Sequence, residues 1–580
     1  MLAVLVQAVA LLVVLCWWVL RGVPFSLESS PAAALPASQM LPCVSYSPFR
    51  HRDGPQGGDS DVNPFNPQAS VTPAHIEADL RLLKTRTNCI RTYGLSQGLD
   101  AVPGVARKLG MRVKLGLWLT ADEAHNTREL ARGMALARQH LDVVDLLVVG
   151  NEVLLRRELS IDALGPILAH ARQHSPVPVT YADVWEFWLR HAALASAVDV
   201  VTVHILPYWE DDPVAVDDAV HHVFKIAVRV QQHFAGKPVW VGETGWPAAG
   251  RQRAGAVPGK VEQTRFVREL QSRAARGAVA SVAGAPTGVG TGLDYNLIEA
   301  FDQPWKRSFE GAMGGHWGLF DKFGNERVAR ADHEVVEDAG WWRGPMGAVL
   351  GAALGLSIGL LLRNRAHAVL ILPVALAGAT LGALVPLQWL MMQQWDRSPG
   401  EYALSAVMAL MGAIASLVFV LPDNLPNLTR VYQPNHLAHL AHPTHPAHLT
   451  QLHKPPRAKR LMGLAMLFIA ATAALVLLLD ARYRPFTWWW FLAPASAMLA
   501  WRLSAAAPSC RISNEHKLLA LVLAVCAVLI AFTEGWRNHQ ALSYCALLLV
   551  LACAGAWLSG SLRTKTSRAS NAAGAQSSVV

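Results

Sequence analysis

The sequence predicts an α/β chain: a parallel (β/α)8 TIM barrel followed by an all-α domain that spans a membrane several times. Short runs of β-branched and apolar residues alternate with helix-period segments eight times between residues 40 and 340. Seven longer apolar runs, broken by short polar loops, then fill residues 345–560. Charged residues are only 16% of the 580 and hydrophobic ones 52%, and the deficit of charge lies in that second part.

In order, the strands fall at Cys43–Ser47, Asn88–Tyr93, Arg112–Trp118, Val143–Asn151, Val177–Ala182, Asp199–Ile205, Pro238–Gly242 and Asp294–Phe301. They read as apolar runs rather than strict alternation, as a parallel sheet covered on both faces requires. Between them, 73–84 sets Ile76, Leu80 and Leu83 at helical spacing, and 128–141 and 261–276 repeat the pattern. The Gly- and Ala-rich stretch 277–292 reads as an insertion before the last strand.

The N-terminal segment 1–22 is almost wholly apolar from Leu2 to Leu20. It lacks a basic n-region and is long for a signal h-region, which favours an uncleaved anchor; cleavage near Pro31–Ala37 is the alternative. The seven later spans fall at 345–362, 368–392, 403–421, 461–479, 486–505, 518–533 and 541–559, the first and sixth a little short. Loops taken alternately give one basic set: Arg363 and Arg365; Arg430, Lys454, Arg457, Lys459 and Arg460; Arg511 and Lys517; then Arg563, Lys565 and Arg568. The other set holds Arg397, Arg482, Arg484 and Arg537. The positive-inside rule makes the first set cytoplasmic, so the barrel region 40–340 lies outside the cytoplasm and the tail 561–580 inside. The tail, rich in Ser, Ala and Gly, reads as disordered. Arg21 argues mildly against this orientation; Trp488, Trp489 and Trp490 suit the outer interface. No ionisable residue sits mid-span, so anchoring is the simpler reading than transport. His436, His439, His442, His445 and His448 recur every third residue in one cytoplasmic loop, a repeat read as low complexity rather than a metal site.

The net charge of +9 lies largely in the loops and tail beside the spans, so it marks topology; no recognition motif supports a nucleic-acid partner. Of seven cysteines only Cys43 and Cys89 fall in the barrel, at the starts of neighbouring strands. They read as buried free thiols, a disulfide being the alternative in an oxidising compartment. No zinc-type Cys/His spacing occurs, and no metal or cofactor is implied.

Barrel sites form at the C-terminal ends of the strands. That rule collects Tyr46 and Arg50; Arg91, Thr92 and Tyr93; Trp118; Asn151 and Glu152; Asp183 and Trp185; His204, Tyr208 and Trp209; Glu243 and Trp246; and Glu299, Asp302, Trp305 and Lys306. Aromatic faces stack on sugar rings and polar groups bond hydroxyls, so this mouth reads as a carbohydrate cleft. Glu152 and Glu243 follow the fourth and seventh strands, a carboxylate pair suited to retaining glycoside cleavage. Glu299 and Asp302 are also open to a capping role, Trp118 and Trp185 to a core role, and His204, on an apolar strand, to that of a core histidine.

The motifs VSYSPFR, NCIRTYG, KLGLWL, VVGNEVLLR, VHILPYWE, VGETGWP, IEAFDQPWK and HWGLFD, in this order, resemble glycoside hydrolase family 17. That family comprises β-1,3-glucanases and glucanosyltransferases, and the chain is most similar to its bacterial membrane-tethered branch. The resemblance implies Glu152 as acid/base and Glu243 as nucleophile, with Asn151 on the sugar 2-hydroxyl, Tyr208 on the nucleophile and Trp305 under the sugar at the cleavage point. It implies a Glu152 kept protonated by a raised pKa and carboxyls about 5–5.5 Å apart. Tyr46, Arg91, Tyr93, Trp246, Glu299, Asp302 and Lys306 complete the expected substrate-binding set. The expected enzyme acts on β-glucan at the outer face of a bacterial inner membrane, with a glucan synthase or export complex as candidate partner. Such placement favours transfer to newly exported glucan (remodelling, branching or cyclising it) over hydrolysis. A non-catalytic glucan-binding component is the third reading.

Overall fold

The computed structural model describes residues 1–26, 40–50, 64–66, 68–275, 293–328, 334–362, 371–421, 457–479, 483–504 and 513–556. The histidine repeat, the insertion at 277–292 and the tail at 561–580 lie outside them. Two compact units emerge, one of Val23–Glu337 with Gln394–Pro399, the other of Met1–Gly22, Asp338–Gln393 and Gly400–Val580.

The first unit is a closed barrel of eight parallel strands in sequence order: β1 (Cys43–Ser45), β2 (Cys89–Arg91), β3 (Arg112–Leu117), β4 (Val144–Asn151), β5 (Val179–Val184), β6 (Val200–His204), β7 (Val239–Thr244) and β8 (Tyr295–Leu297). β8 closes on β1 with Val44 beside Leu297. All eight expected strands form. Side chains alternate along each strand: Leu147 and Val149 join the main core, while Leu146 and Val148 pack with Ala182 and Trp240. Both sets are apolar, which is why the sequence shows a run and not an alternation.

After α1 (Leu2–Arg21) of the second unit, the barrel helices are α2 (Pro73–Leu83), α3 (Val102–Leu109), α4 (Glu123–Gln139), α5 (Ile161–His174), α6 (Trp185–Arg190), α7 (Val216–His233), α8 (Lys260–Ala275) and α9 (Arg307–Glu310). Their starts are set by local chemistry. Thr72 accepts from His75 N at 3.2 Å ahead of Pro73, and Asp122 accepts from Ala124 N and His125 N at 2.9 and 3.1 Å. Cys43 and Cys89 form a disulfide, not the free thiols expected. The β1–β2 register, Val44 opposite Ile90, sets the two cysteines side by side.

The second unit continues with α10 (Arg343–Leu362), α11 (Ile371–Trp395), α12 (Pro399–Val420), α13 (Arg457–Leu479), α14 (Trp488–Leu503), α15 (Asn514–Glu534) and α16 (His539–Ala556). Every apolar run becomes a helix, and among the described residues six of the unit's helices, α1 included, are long and apolar enough to cross a membrane. The run expected at 486–505 yields only the 16-residue α14. The two expected to be short give 20 and 21 residues, because Arg343 and the polar turn Asn514–Lys517 are themselves helical. α10 and α11 meet on glycines: a Cβ on Gly351 would stand 2.0 Å from Gly378 O, and one on Gly382 2.1 Å from Gly347 O. Small residues at such a crossing let two backbones touch.

Candidate active site

The turn after β4 is fastened to β5. Glu152 N donates to Ala182 O at 2.8 Å, and Leu154 N donates to the Tyr181 hydroxyl at 3.0 Å. That hydroxyl in turn donates to the fully buried Asp183. Burial pushes the Asp183 carboxyl up to about 6 despite the Tyr181 hydrogen bond, and Glu152 nearby adds to the rise. So anchored, Glu152 holds φ at +51°, a left-handed conformation that costs a residue with a Cβ of order 1 kcal/mol or more. Strain of this kind collects at working sites.

Glu243, at the end of β7, is enclosed. Its Oε1 accepts from the Tyr93 hydroxyl at 2.8 Å and from Arg91 Nη1 at 3.1 Å. Burial pushes its carboxyl up, but the positive charges beside it, Arg91 and Lys306 among them, and the Tyr93 hydroxyl outweigh burial and hold it below the ordinary carboxylate range. Arg91 is fully buried and also donates to Gly242 O at 2.7 Å and to Asn151 Oδ1. Gly242 makes room for it: a Cβ there would meet Thr202 Cγ2 at 2.4 Å and Arg91 Nη1 at 3.4 Å.

His204, at the end of β6, lies between the glutamates. Nδ1 is 2.8 Å from Glu152 Oε1, and Nε2 is 3.6 Å from Glu243 Oε1. One oxygen of each glutamate and a His204 nitrogen all fall within 4.8 Å of one another. After β8, Lys306 Nζ bonds both Glu299 oxygens at 2.9 Å. Burial raises Glu299 and Glu310 each to about 7, Lys306 opposing in both cases. Glu310 feels the charges of Glu152 and Glu243. An aromatic rim stands beside it: the Phe65 ring lies 6.4 Å from Trp118, 5.7 Å from Trp305 and 5.4 Å from Phe309.

The expected residues therefore divide. Glu152, Glu243, Asn151, Arg91 and Tyr93 are linked in one cluster through His204; Glu299 and Lys306 pair with each other, and Lys306 acts on Glu243 by charge; Trp305 stands in the rim. Four others point elsewhere. Tyr46 is buried and donates to Asp79 at 3.1 Å. Trp246 is buried, stacked on Phe266 and bonded to Val257 O at 3.0 Å. Asp302 is buried and held by Arg327 and by Gly318 N. Tyr208 donates to Arg251 O, so the hydroxyl on Glu243 belongs to Tyr93 instead. Arg91, with no exposed surface, reaches a ligand only through Glu243 and Asn151. His204 was collected at the mouth but left out of the expected substrate-binding set, and Phe65, Phe309 and Glu310 were not expected at all. Phe309 and Glu310 follow the PWK motif after Arg307 and Ser308, a signal that could have found them; Phe65 stands in a stretch without periodicity.

Over 268 residues the chain is 26% identical to a glucan 1,3-beta-glucosidase of Candida albicans, covering 42% of this chain and 82% of that one. It is 28% identical over 245 residues to a glucan 1,3-beta-glucosidase of Schizosaccharomyces pombe, covering 40% and 72%. Among solved structures, an active-site mutant of a Rhizomucor miehei beta-1,3-glucanosyltransferase with laminaritriose is 23% identical, with a TM-score of 0.41, covering 51% of this chain and 99% of that one. Residues 44–318, nearly the whole barrel, match the family model described as the BtgE/BtgC glycoside hydrolase domain.

Proposed function

We propose that the barrel is a retaining glycosidase acting on β-1,3-glucan, and that its main reaction is glucanosyl transfer. The observation that carries the retaining mechanism is the approach of Glu152 and Glu243, with an oxygen of each within 4.8 Å. Retaining enzymes hold their carboxyls about 5–5.5 Å apart and inverting ones about 6.5–9.5 Å. The names of the curated relatives support the substrate.

Glu243, ionised and aimed by Tyr93 and Arg91, attacks the anomeric carbon. A bond forms from its oxygen to C1 while the C1–O bond to the leaving sugar breaks, and Glu152 gives its proton to that departing oxygen. Glu152, now a carboxylate, takes a proton from the acceptor hydroxyl. The acceptor oxygen bonds C1, and Glu243 is released. Asn151 Oδ1 is held by Arg91, which leaves its amide N–H to donate to the sugar 2-hydroxyl. Phe65, Trp118, Trp305 and Phe309 offer ring faces to neighbouring sugars.

Transfer is supported by the long apolar helices, which suit a membrane anchor, and by the basic loops, whose charge favours a barrel outside the cytoplasm, beside emerging glucan. The Cys43–Cys89 bond supports an oxidising compartment. Hydrolysis is the second reading, favoured by the glucosidase names of the relatives. Incubating the full chain in detergent with laminari-oligosaccharides tests the choice. Products longer than the substrate are expected; only shorter products at every substrate concentration would make it a hydrolase.

A further inference from the structure

We infer that His204 is a positioning residue that fixes which oxygen of Glu152 carries the catalytic proton. The inference rests on the glycosidase reading above and deepens it.

The ring is buried with no exposed side-chain surface, and three groups surround its nitrogens. Nε2 lies 3.3 Å from Arg91 Nη1 and 3.6 Å from Glu243 Oε1, and Nδ1 lies 2.8 Å from Glu152 Oε1. Arginine has donors only, so the nitrogen facing it is an acceptor and carries no proton. In the neutral ring the proton then sits on Nδ1, which donates to Glu152 Oε1. Oε1 is thereby an acceptor whether Glu152 is ionised or not, and the transferable proton belongs on Oε2.

Among the described residues His204 is the only hydrogen-bond partner of the Glu152 carboxyl. Glu243 has two others, Tyr93 and Arg91. Without His204 the Glu152 side chain is free to turn either oxygen toward the leaving group or away from it. Arg91 ties the arrangement to the nucleophile, since one guanidinium contacts His204, Glu243 and Asn151. The two carboxylates are thus aligned from below by a single histidine–arginine pair.

The consequence is selective. Proton delivery matters when the leaving group is a sugar alkoxide and hardly at all when it is a stable phenolate, so loss of alignment should follow the leaving group. The test uses the full-length protein in detergent, with His204→Phe, which keeps a ring without nitrogens, and His204→Asn, which keeps an N–H donor. Two substrates are compared: laminaritriose, and a dinitrophenyl β-laminaribioside whose phenolate burst reports glycosyl-enzyme formation alone. His204→Phe should lose about 10- to 100-fold in kcat/KM on laminaritriose, a fraction of the 10²–10⁴ that general acid catalysis supplies. Its burst rate should stay within about threefold of native, and His204→Asn should recover much of the laminaritriose activity. Equal losses on both substrates, or no loss on either, would overturn the positioning role; if His204→Phe does not fold, a His204→Asn variant with equal losses on both does the same. A native protein that gives no burst and no cleavage instead removes the glycosidase reading itself.

Discussion

Glu243 and Glu152 work on one glycosidic bond in the proposed reaction, yet the barrel holds them differently. The Glu243 side chain is 6% exposed and receives two hydrogen bonds on one oxygen, while that of Glu152 is 22% exposed and has a single partner among the described residues. Glu243 lies within strand β7; Glu152 rides a left-handed turn pinned from β5. The difference matches two chemical tasks. A nucleophile must remain ionised and in line, which the Tyr93 and Arg91 donors enforce against the opposing effect of burial. An acid that becomes a base must meet substrate and acceptor in turn, so one oxygen is held and the other is left open.

Two substitutions test how far that contrast goes. Tyr93→Phe should have the larger effect, because it removes a donor from an ionised carboxylate. Such a bond contributes about 1.5–3 kcal/mol, so kcat should fall about 10- to 100-fold with KM little changed. Tyr208→Phe, whose hydroxyl meets a backbone carbonyl instead, should leave kcat near native. Steady-state rates on one laminari-oligosaccharide read both, and the reverse order would return the nucleophile contact to Tyr208. Phe65→Ala should act more weakly and on binding alone. Losing one stacking face, about 0.5–1.5 kcal/mol, predicts a rise in KM of about 3- to 10-fold for long laminari-oligosaccharides and little for short ones. A KM change equal at every chain length would take Phe65 out of the cleft.

Much of this was readable before any coordinates. Parallel strands covered on both faces must be apolar throughout, so eight runs of that kind located the barrel, and the strand-end rule placed Glu152 and Glu243 at its mouth. What the rule leaves out is direction. Tyr46 and Trp246 follow strands as Tyr93 does, but their side chains turn into packing against Asp79 and Phe266. Which tyrosine reaches Glu243 depends on closure of the sheet, which brings together residues 150 positions apart in sequence. The disulfide depended on register: neighbouring strands were expected, but only the pairing of Val44 with Ile90 aligns the two cysteines. His204, at the end of an apolar strand, is open from sequence to either a core or a site role; it is buried, and its two nitrogens face both carboxylates. In the second unit, apolar length located each helix but missed polar residues such as Asn514 and Lys517 that extend it.

The division of labour between the two glutamates is tested most directly by trapping the intermediate. A 2-deoxy-2-fluoro β-laminaribioside with a dinitrophenolate leaving group slows release from the enzyme more than attack, so the labelled protein can be digested and sequenced by mass spectrometry. The account predicts one fluoroglycosyl ester, on Glu243 in the peptide containing VGETGWP. A label on Glu152, or full turnover with no covalent species, would contradict it.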